Sequence, residues 1–207
     1  AWGGASGFDL LNLSSGATYK IKVAALQGDA TGSPFGPEAS ASTVSPTVTF
    51  AVSTSLTSSP PFNTSFSSLP AGSVVTGDAA VTATVTTNAQ YGGSLLLRGQ
   101  NNGLTSTSRA YTVSSASADL DSAGRGYGAR LTSTAQSSGG PLIATSPYNG
   151  TSNTVGNITT SLQELATFGS PITAGAATFQ LKAKTDYTVP AAADYGDILT
   201  VTLSLLF

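Results

Sequence analysis

Asp194 and Asp197 stand three residues apart, on either side of Tyr195-Gly196. A pair of carboxylates at that spacing is the raw material of general acid–base chemistry, one member protonated and the other ionised. The competing reading is a tight turn leading into the next strand. Tyr195 then acts as a packing anchor whose hydroxyl finds a backbone partner. The turn is the stronger reading, because the chain supplies no companion substrate cluster: it has one Trp, few charges and no phosphate-binding loop. A second acidic pair, Asp119-Leu120-Asp121, is followed by Ser122 and by Gly124-Arg125-Gly126-Tyr127. It could offer carboxylates to Ca²⁺, an ion that takes six to eight oxygens. Two Asp are too few without loop carbonyls, and the alternative is a turn in which Asp and Ser bond local backbone.

What the chain lacks narrows the chemistry further. It has 207 residues and no Cys, His or Met. Without Cys there are no disulfides, thiolate nucleophiles or thiolate metal sites. Without His the commonest general base and metal ligand is gone. Zinc sites built on His or Cys, the Ser-His-Asp triad and Cys-His proteases are excluded, and no enzyme, cofactor or metal is expected. Charged residues are 9% of the chain, against about 25% in ordinary soluble proteins. The formal charge of −2 provides no basic footprint for nucleic acid. A surface of Ser and Thr hydroxyls suits a protein that packs against its own copies or faces the exterior. With Met absent, Ala1 is expected to be a processed N-terminus, its signal peptide removed and the protein extracellular. No apolar stretch reaches the about 18 residues of a transmembrane helix.

The elements that must position these residues are short strands and turns. In 17–26, Tyr19, Ile21 and Val23 alternate with Lys20 and Lys22. In 46–52, Val48, Phe50 and Val52 share one face. Strands are also expected over 80–87, 91–98, 110–113, 128–134 and 179–183. The last is 198–206, where Val201, Leu203 and Leu205 alternate with Thr200, Thr202 and Ser204. It runs almost to Phe207, and such a strand is expected to be covered by its own sheet or by a neighbour's. Leu162, Leu165 and Phe168 stand three apart and predict one or two helical turns over 161–168, ended by Gly169-Ser170-Pro171. The Ser/Gly-rich stretch 135–160 reads as an elaborated surface loop or hairpin. The expected fold is all-β: an antiparallel β-sandwich with Greek-key topology over 46–207, preceded by a β-hairpin or arm over 1–45.

Two segments resemble known families. Leu11-Asn12-Leu13-Ser14-Ser15-Gly16-Ala17-Thr18-Tyr19-Lys20-Ile21-Lys22-Val23 resembles the E–F region of a fibronectin type III domain, and Gly32-Ser33-Pro34 and Ser42-Thr43-Val44 its closing turn and strand. At most three strands precede Pro46, so this is half a sandwich, with an apolar face and an open edge. The rest is similar to bacterial and archaeal surface β-sandwiches: WxL-like and camelysin-like fibre domains and the spore-coat-protein-U type of pilin. The likeness rests on Phe66-Ser67-Ser68-Leu69-Pro70-Ala71-Gly72, Val85-Thr86-Thr87-Asn88-Ala89-Gln90-Tyr91-Gly92 and Val189-Pro190-Ala191-Ala192-Ala193-Asp194-Tyr195-Gly196-Asp197-Ile198. The chain departs from such pilins in lacking Cys and in carrying Ala193-Asp194 where a Gly precedes the Tyr.

The resemblance implies a structural subunit of a pilus or biofilm fibre, built head to tail by strand complementation between copies. The donor strand would be residues 1–26 or 46–53, and the acceptor would include 198–206. The expected interface residues are Trp2, Phe8, Tyr19, Ile21, Val23, Val48, Phe50, Val52, Val201, Leu203, Leu205 and Phe207. Trp2 and Phe8 would anchor an arm on a neighbour or fold back onto their own domain. The alternative is a non-polymeric adhesin or cell-wall-binding module of a larger surface protein. An outer-membrane barrel, suggested by Phe207, fits poorly with 28–46 and 135–160. Surface adhesins of this kind sometimes join a buried Lys to an Asn, with a carboxylate as catalyst. Lys20, Lys22, Lys182 and Lys184 are the lysines that could do so, although both Lys-x-Lys pairs also read as ordinary outward-facing side chains. Asn12, Asn63, Asn149 and Asn157 head N-glycosylation patterns.

Overall fold

The computed structural model describes residues 9–27 and 31–207. Trp2 and Phe8 lie outside the described residues. The chain forms two compact units, Ala1–Pro46 and Thr47–Phe207, and among the described residues every regular element is a strand.

The first unit holds β1 (Thr18–Ile21), β2 (Leu26–Gln27), β3 (Thr31–Gly32) and β4 (Ala39–Ser42). β1 pairs antiparallel with β4, and β2 with β3. Hydroxyls stitch the first ladder: Thr18 Oγ1 lies 2.7 Å from Ser42 Oγ, and Thr43 Oγ1 donates to Ser14 O at 2.6 Å. Lys20 and Lys22 reach Glu38 at 2.8 and 3.4 Å, exposed pairs that contribute little stability. None of the described residues of this unit is buried.

The second unit contains β5 (Val48–Thr54), β6 (Val74–Thr76), β7 (Val81–Thr87), β8 (Gly93–Gly99), β9 (Gly103–Ser106), β10 (Tyr111–Ser114), β11 (Ala118–Asp119) and β12 (Gly126–Ala135). It continues through β13 (Ser138–Gly139), β14 (Ile143–Ala144), β15 (Thr154–Val155), β16 (Gln163–Phe168), β17 (Ile172–Lys184) and β18 (Leu199–Leu205). One sheet runs β12-β17-β7-β5, with β13 and β6 also on β17; the other runs β14-β16-β8-β18. Their inner faces share one core, with Ala83, Val85, Phe179 and Leu181 from the first sheet and Leu95, Leu97, Ala166 and Phe168 from the second. This is an antiparallel β-sandwich. The alternation in β7 explains its place: Val81, Ala83 and Val85 face inward, while Thr82 on the outer face meets Thr178 Oγ1 at 2.9 Å.

Two expectations change. Residues 161–168 are not helical; Gln163–Phe168 is strand β16, paired with β8. A bulge between Glu164 and Ala166 inserts Leu165, so Leu165 and Ala166 are both buried and Phe168 follows on the same face. An extra residue in a period-two pattern mimics a spacing of three. The stretch 135–160 is more than surface loop: Leu142, Tyr148, Val155 and Ile158 are buried within it.

Candidate functional site

β5 closes one end of its sheet and β18 one end of the other. β5 pairs with β7 in the register Val48↔Thr87, Phe50↔Val85, Val52↔Ala83. Since Val85 and Ala83 are core residues, Val48, Phe50 and Val52 lie on the inner face. Yet Val48 and Phe50 remain 52% and 39% exposed. β18 mirrors this. Val201 stands opposite Leu97 and Leu203 opposite Leu95, both fully buried, but Leu199, Val201, Leu203 and Leu205 are half-buried. Each sheet thus ends in a strand whose inner apolar side chains have incomplete cover and whose outer edge pairs with no other strand among the described residues.

Between these edges the interior opens as a groove of about 1240 Å³. Val52 and Thr54 form one wall and Leu199, Thr200 and Val201 the other, with Val81, Phe179, Leu181, Leu104 and Tyr127 at its floor. Two irregular segments, 62–69 and 185–198, also line it. From the first, Phe66 packs edge-on against Tyr127, ring centroids 6.4 Å apart. Burial, and secondarily the charge of Asp197, holds the Tyr127 hydroxyl well above its usual range. Aliphatic and aromatic side chains line it together with Asn63, several Ser and Thr, and Asp186 and Asp197. Its volume exceeds that of common small-molecule pockets, and its walls are strand edges. The arrangement suits an extended segment that adds main-chain hydrogen bonds to an edge and side chains to the interior.

The acidic pair at the groove's mouth works as a latch. Asp194 accepts from Ser106 Oγ at 2.6 Å, Ser108 Oγ at 2.8 Å, Ser108 N at 2.9 Å and Thr107 Oγ1 at 3.1 Å. It thereby fastens the segment before β18 to the end of β9. Tyr195 donates its hydroxyl to Pro190 O at 2.9 Å and packs on the core, as the turn reading requires. Asp197 Oδ1 accepts from the amides of Asn101 and Ile198, each at 2.9 Å. Burial raises its pKa, partly countered by backbone hydrogen bonds, first from Asn101. The two carboxylates serve different anchors and do not converge on a shared substrate position. At the other acidic pair, Asp119 Oδ1 accepts from Asp121 N at 3.1 Å and Asp121 Oδ1 from Asn153 Nδ2 at 2.9 Å. Both carboxylates serve local turn and loop bonds.

Asp194→Asn is expected to lower Tm at neutral pH. The Ser106 hydroxyl, followed by the Ser108 amide and hydroxyl, holds the Asp194 carboxyl far below the usual carboxylate range. A carboxylate with a depressed folded pKa contributes stability that is complete above its unfolded value, about 3.9. That contribution disappears as pH falls through the folded value. The Tm gap between native and variant should therefore be full at about pH 5 to 7 and close on descent from about pH 4. Thermal melts across that range check it; a gap independent of pH would show that the latch is not ionic.

The expected interface residues fall into three places. Tyr19 and Ile21 are half-buried in the first unit and Val23 is 62% exposed there. Val48, Phe50, Val52, Val201, Leu203 and Leu205 lie on the two edge strands bounding the groove, and Phe207 is exposed just beyond β18. The donor expectation for 46–53 meets a segment that is hydrogen-bonded to β7 in its own sheet. Sequence reasoning missed the floor and the lining segments, Phe66, Leu69, Tyr127, Phe179, Leu181 and Val189. For Phe66, Leu69 and Val189 the one signal is apolar side chains in Pro- and Ser-rich surroundings at 62–71 and 185–198; Phe179 and Leu181 fall in an expected strand with nothing to mark them as a groove floor. No family model, curated protein or solved structure matches the chain.

Proposed function

We propose that this chain is a structural subunit of an extracellular filament in which an extended strand of a second copy occupies the groove between β5 and β18. The observation that carries the reading is that both walls are edge strands with half-covered inner faces. A groove of that kind lacks one strand, and an exposed, unpaired edge in a stable protein calls for a cover. The low charge of the surface and the absence of His, Cys and Met fit a structural and exterior role. Because 48–54 itself forms a wall of the groove, the donor is assigned to residues 1–26, whose β1 would have to leave its four-residue ladder with β4 to enter a second copy. There Tyr19, Ile21 and Val23 supply apolar side chains at alternate positions. Donor and acceptor surfaces differ, so contacts are heterologous and propagate instead of closing.

The test is electron microscopy of the full chain before and after boiling in detergent, for the native protein and for the Ile21→Asp/Val23→Asp variant. Heat-resistant fibres from the native chain, shortened or lost in the variant, are the expected result. A monodisperse native monomer overturns the filament reading. Unaltered fibres in the variant overturn the assignment of the donor.

A further inference from the structure

Lys182 and Lys184 do not point into solvent. They are 7% and 9% exposed, on the face of β17 opposite Phe179 and Leu181. Neither makes an ion pair among the described residues. Lys184 Nζ donates to the carbonyls of Leu120 and Asp121 at 2.9 and 3.0 Å. Lys182 Nζ donates to Thr76 Oγ1 and to the side-chain oxygen of Asn153, both at 2.9 Å. The same Asn153 amide donates through Nδ2 to Asp121 Oδ1 at 2.9 Å. Amine, carboxamide and carboxylate thus form a connected line. The amide carbon sits ~1.2 Å behind the oxygen that Lys182 touches, which places it within about 4 Å of the amine nitrogen.

We propose that Lys182 and Asn153 form an intramolecular isopeptide bond, with Asp121 as the proton carrier. The neutral Lys182 amine donates its lone pair to Asn153 Cγ, forming the C–N bond of a tetrahedral intermediate. Asp121 takes a proton from the attacking nitrogen and delivers it to the Asn153 Nδ2 that it already contacts. The Cγ–Nδ2 bond then breaks and ammonia leaves. A primary amine and a primary amide become a secondary amide and ammonia, with no oxidant, reductant or co-reactant.

The surroundings favour the nucleophile and the electrophile. Burial is the largest influence lowering the Lys182 pKa, and the Arg130 charge adds to it, while Asp121 opposes; the lowered value enlarges the share of free amine. The electrophile is held in place: Arg130 Nη1 donates to Ser152 O at 2.9 Å, and Leu120 N to Asn153 O at 3.1 Å. Lys184 is the poorer nucleophile because it faces two main-chain carbonyls, where acyl transfer would cut the chain. The bond would tie the central strand β17 to the loop before β15 in a chain that has no Cys. It does not depend on assembly.

Intact mass spectrometry of the full native chain tests the inference, with trypsin mapping. The expected result is a mass below the sequence mass by one ammonia. A linked peptide pair containing Asn153 and Lys182 should appear, and cleavage after Lys182 should be blocked. Lys182→Arg and Asn153→Ala should each restore the full mass, and Asp121→Asn should slow bond formation by roughly 100-fold. Loss of the tie should lower Tm by on the order of 10 °C. A native chain that keeps its full sequence mass after prolonged incubation overturns the proposal whether or not any variant folds. So does a deficit confined to one unlinked peptide, as a succinimide at Asn149-Gly150 would give.

Discussion

Phe179→Ala is expected to cost about 3–5 kcal/mol of stability and to lower Tm by on the order of 10 °C. Phe179 is fully buried midway along β17, opposite Val81 on one neighbouring strand and Leu131 on the other. Both flanking strands are hydrogen-bonded to β17 across it, so the backbone cannot close over the void. The ring also forms part of the groove's floor, and its loss joins the new cavity to the groove. Urea titration measures the effect as a shifted midpoint with the slope unchanged. Leu206→Ala is the control: its side chain is 59% exposed, and a change within about 0.5 kcal/mol is expected. A loss below about 1 kcal/mol at Phe179 would be incompatible with a packed interior at that position.

The strands legible in the sequence were those with strong contrast between their faces. β5, β7 and β18 alternate apolar residues with small or hydroxyl side chains, and which face turns inward follows directly, although only in β7 is that face well buried. The first half of β17 carried no such contrast: Thr173-Ala174-Gly175-Ala176 is small throughout, and a register shift interrupts its pairing between Ile172 and Gly175. Leu165 misled because a bulge alters the period locally. Lys182 and Lys184 read as ordinary outward-facing side chains on a strand edge, and the structure corrects this: both are buried on the central strand β17, because alternation along one strand is silent about what covers its outer face. The cover comes from Leu120, Asp121 and Asn153, more than 25 residues away in sequence. The groove was hidden for the same reason. Val201 and Leu203 declare an inner face, and whether another strand lies over it depends on the order of strands in two sheets. In the acidic segment, Tyr195 could be read as an anchor from its turn context, whereas the partner of Asp194, the Ser106-Thr107-Ser108 corner, could not.

Placing a carboxylate on each wall, Val52→Asp with Val201→Asp, is expected to abolish assembly while leaving a folded monomer. Both side chains are half-buried in the isolated chain and border an open groove, so water still reaches the new charges and the monomer loses little. A strand laid into the groove would remove that water and leave two ionised groups without partners between the sheets. An uncompensated buried carboxylate costs several kcal/mol, and every 1.4 kcal/mol is tenfold in affinity. The pair should therefore weaken strand binding by more than about 1000-fold. Ser133→Asp separates this effect from a general charge effect: Ser133 is exposed on β12, at the opposite end of its sheet from β5, so assembly should survive it. The readouts are far-UV circular dichroism for the fold and electron microscopy with sedimentation for the polymer. Fibres from the double variant equal to those of the native chain would show that the groove is not where copies meet. Loss of the native dichroism would move the two side chains from the interface into the monomer's own core.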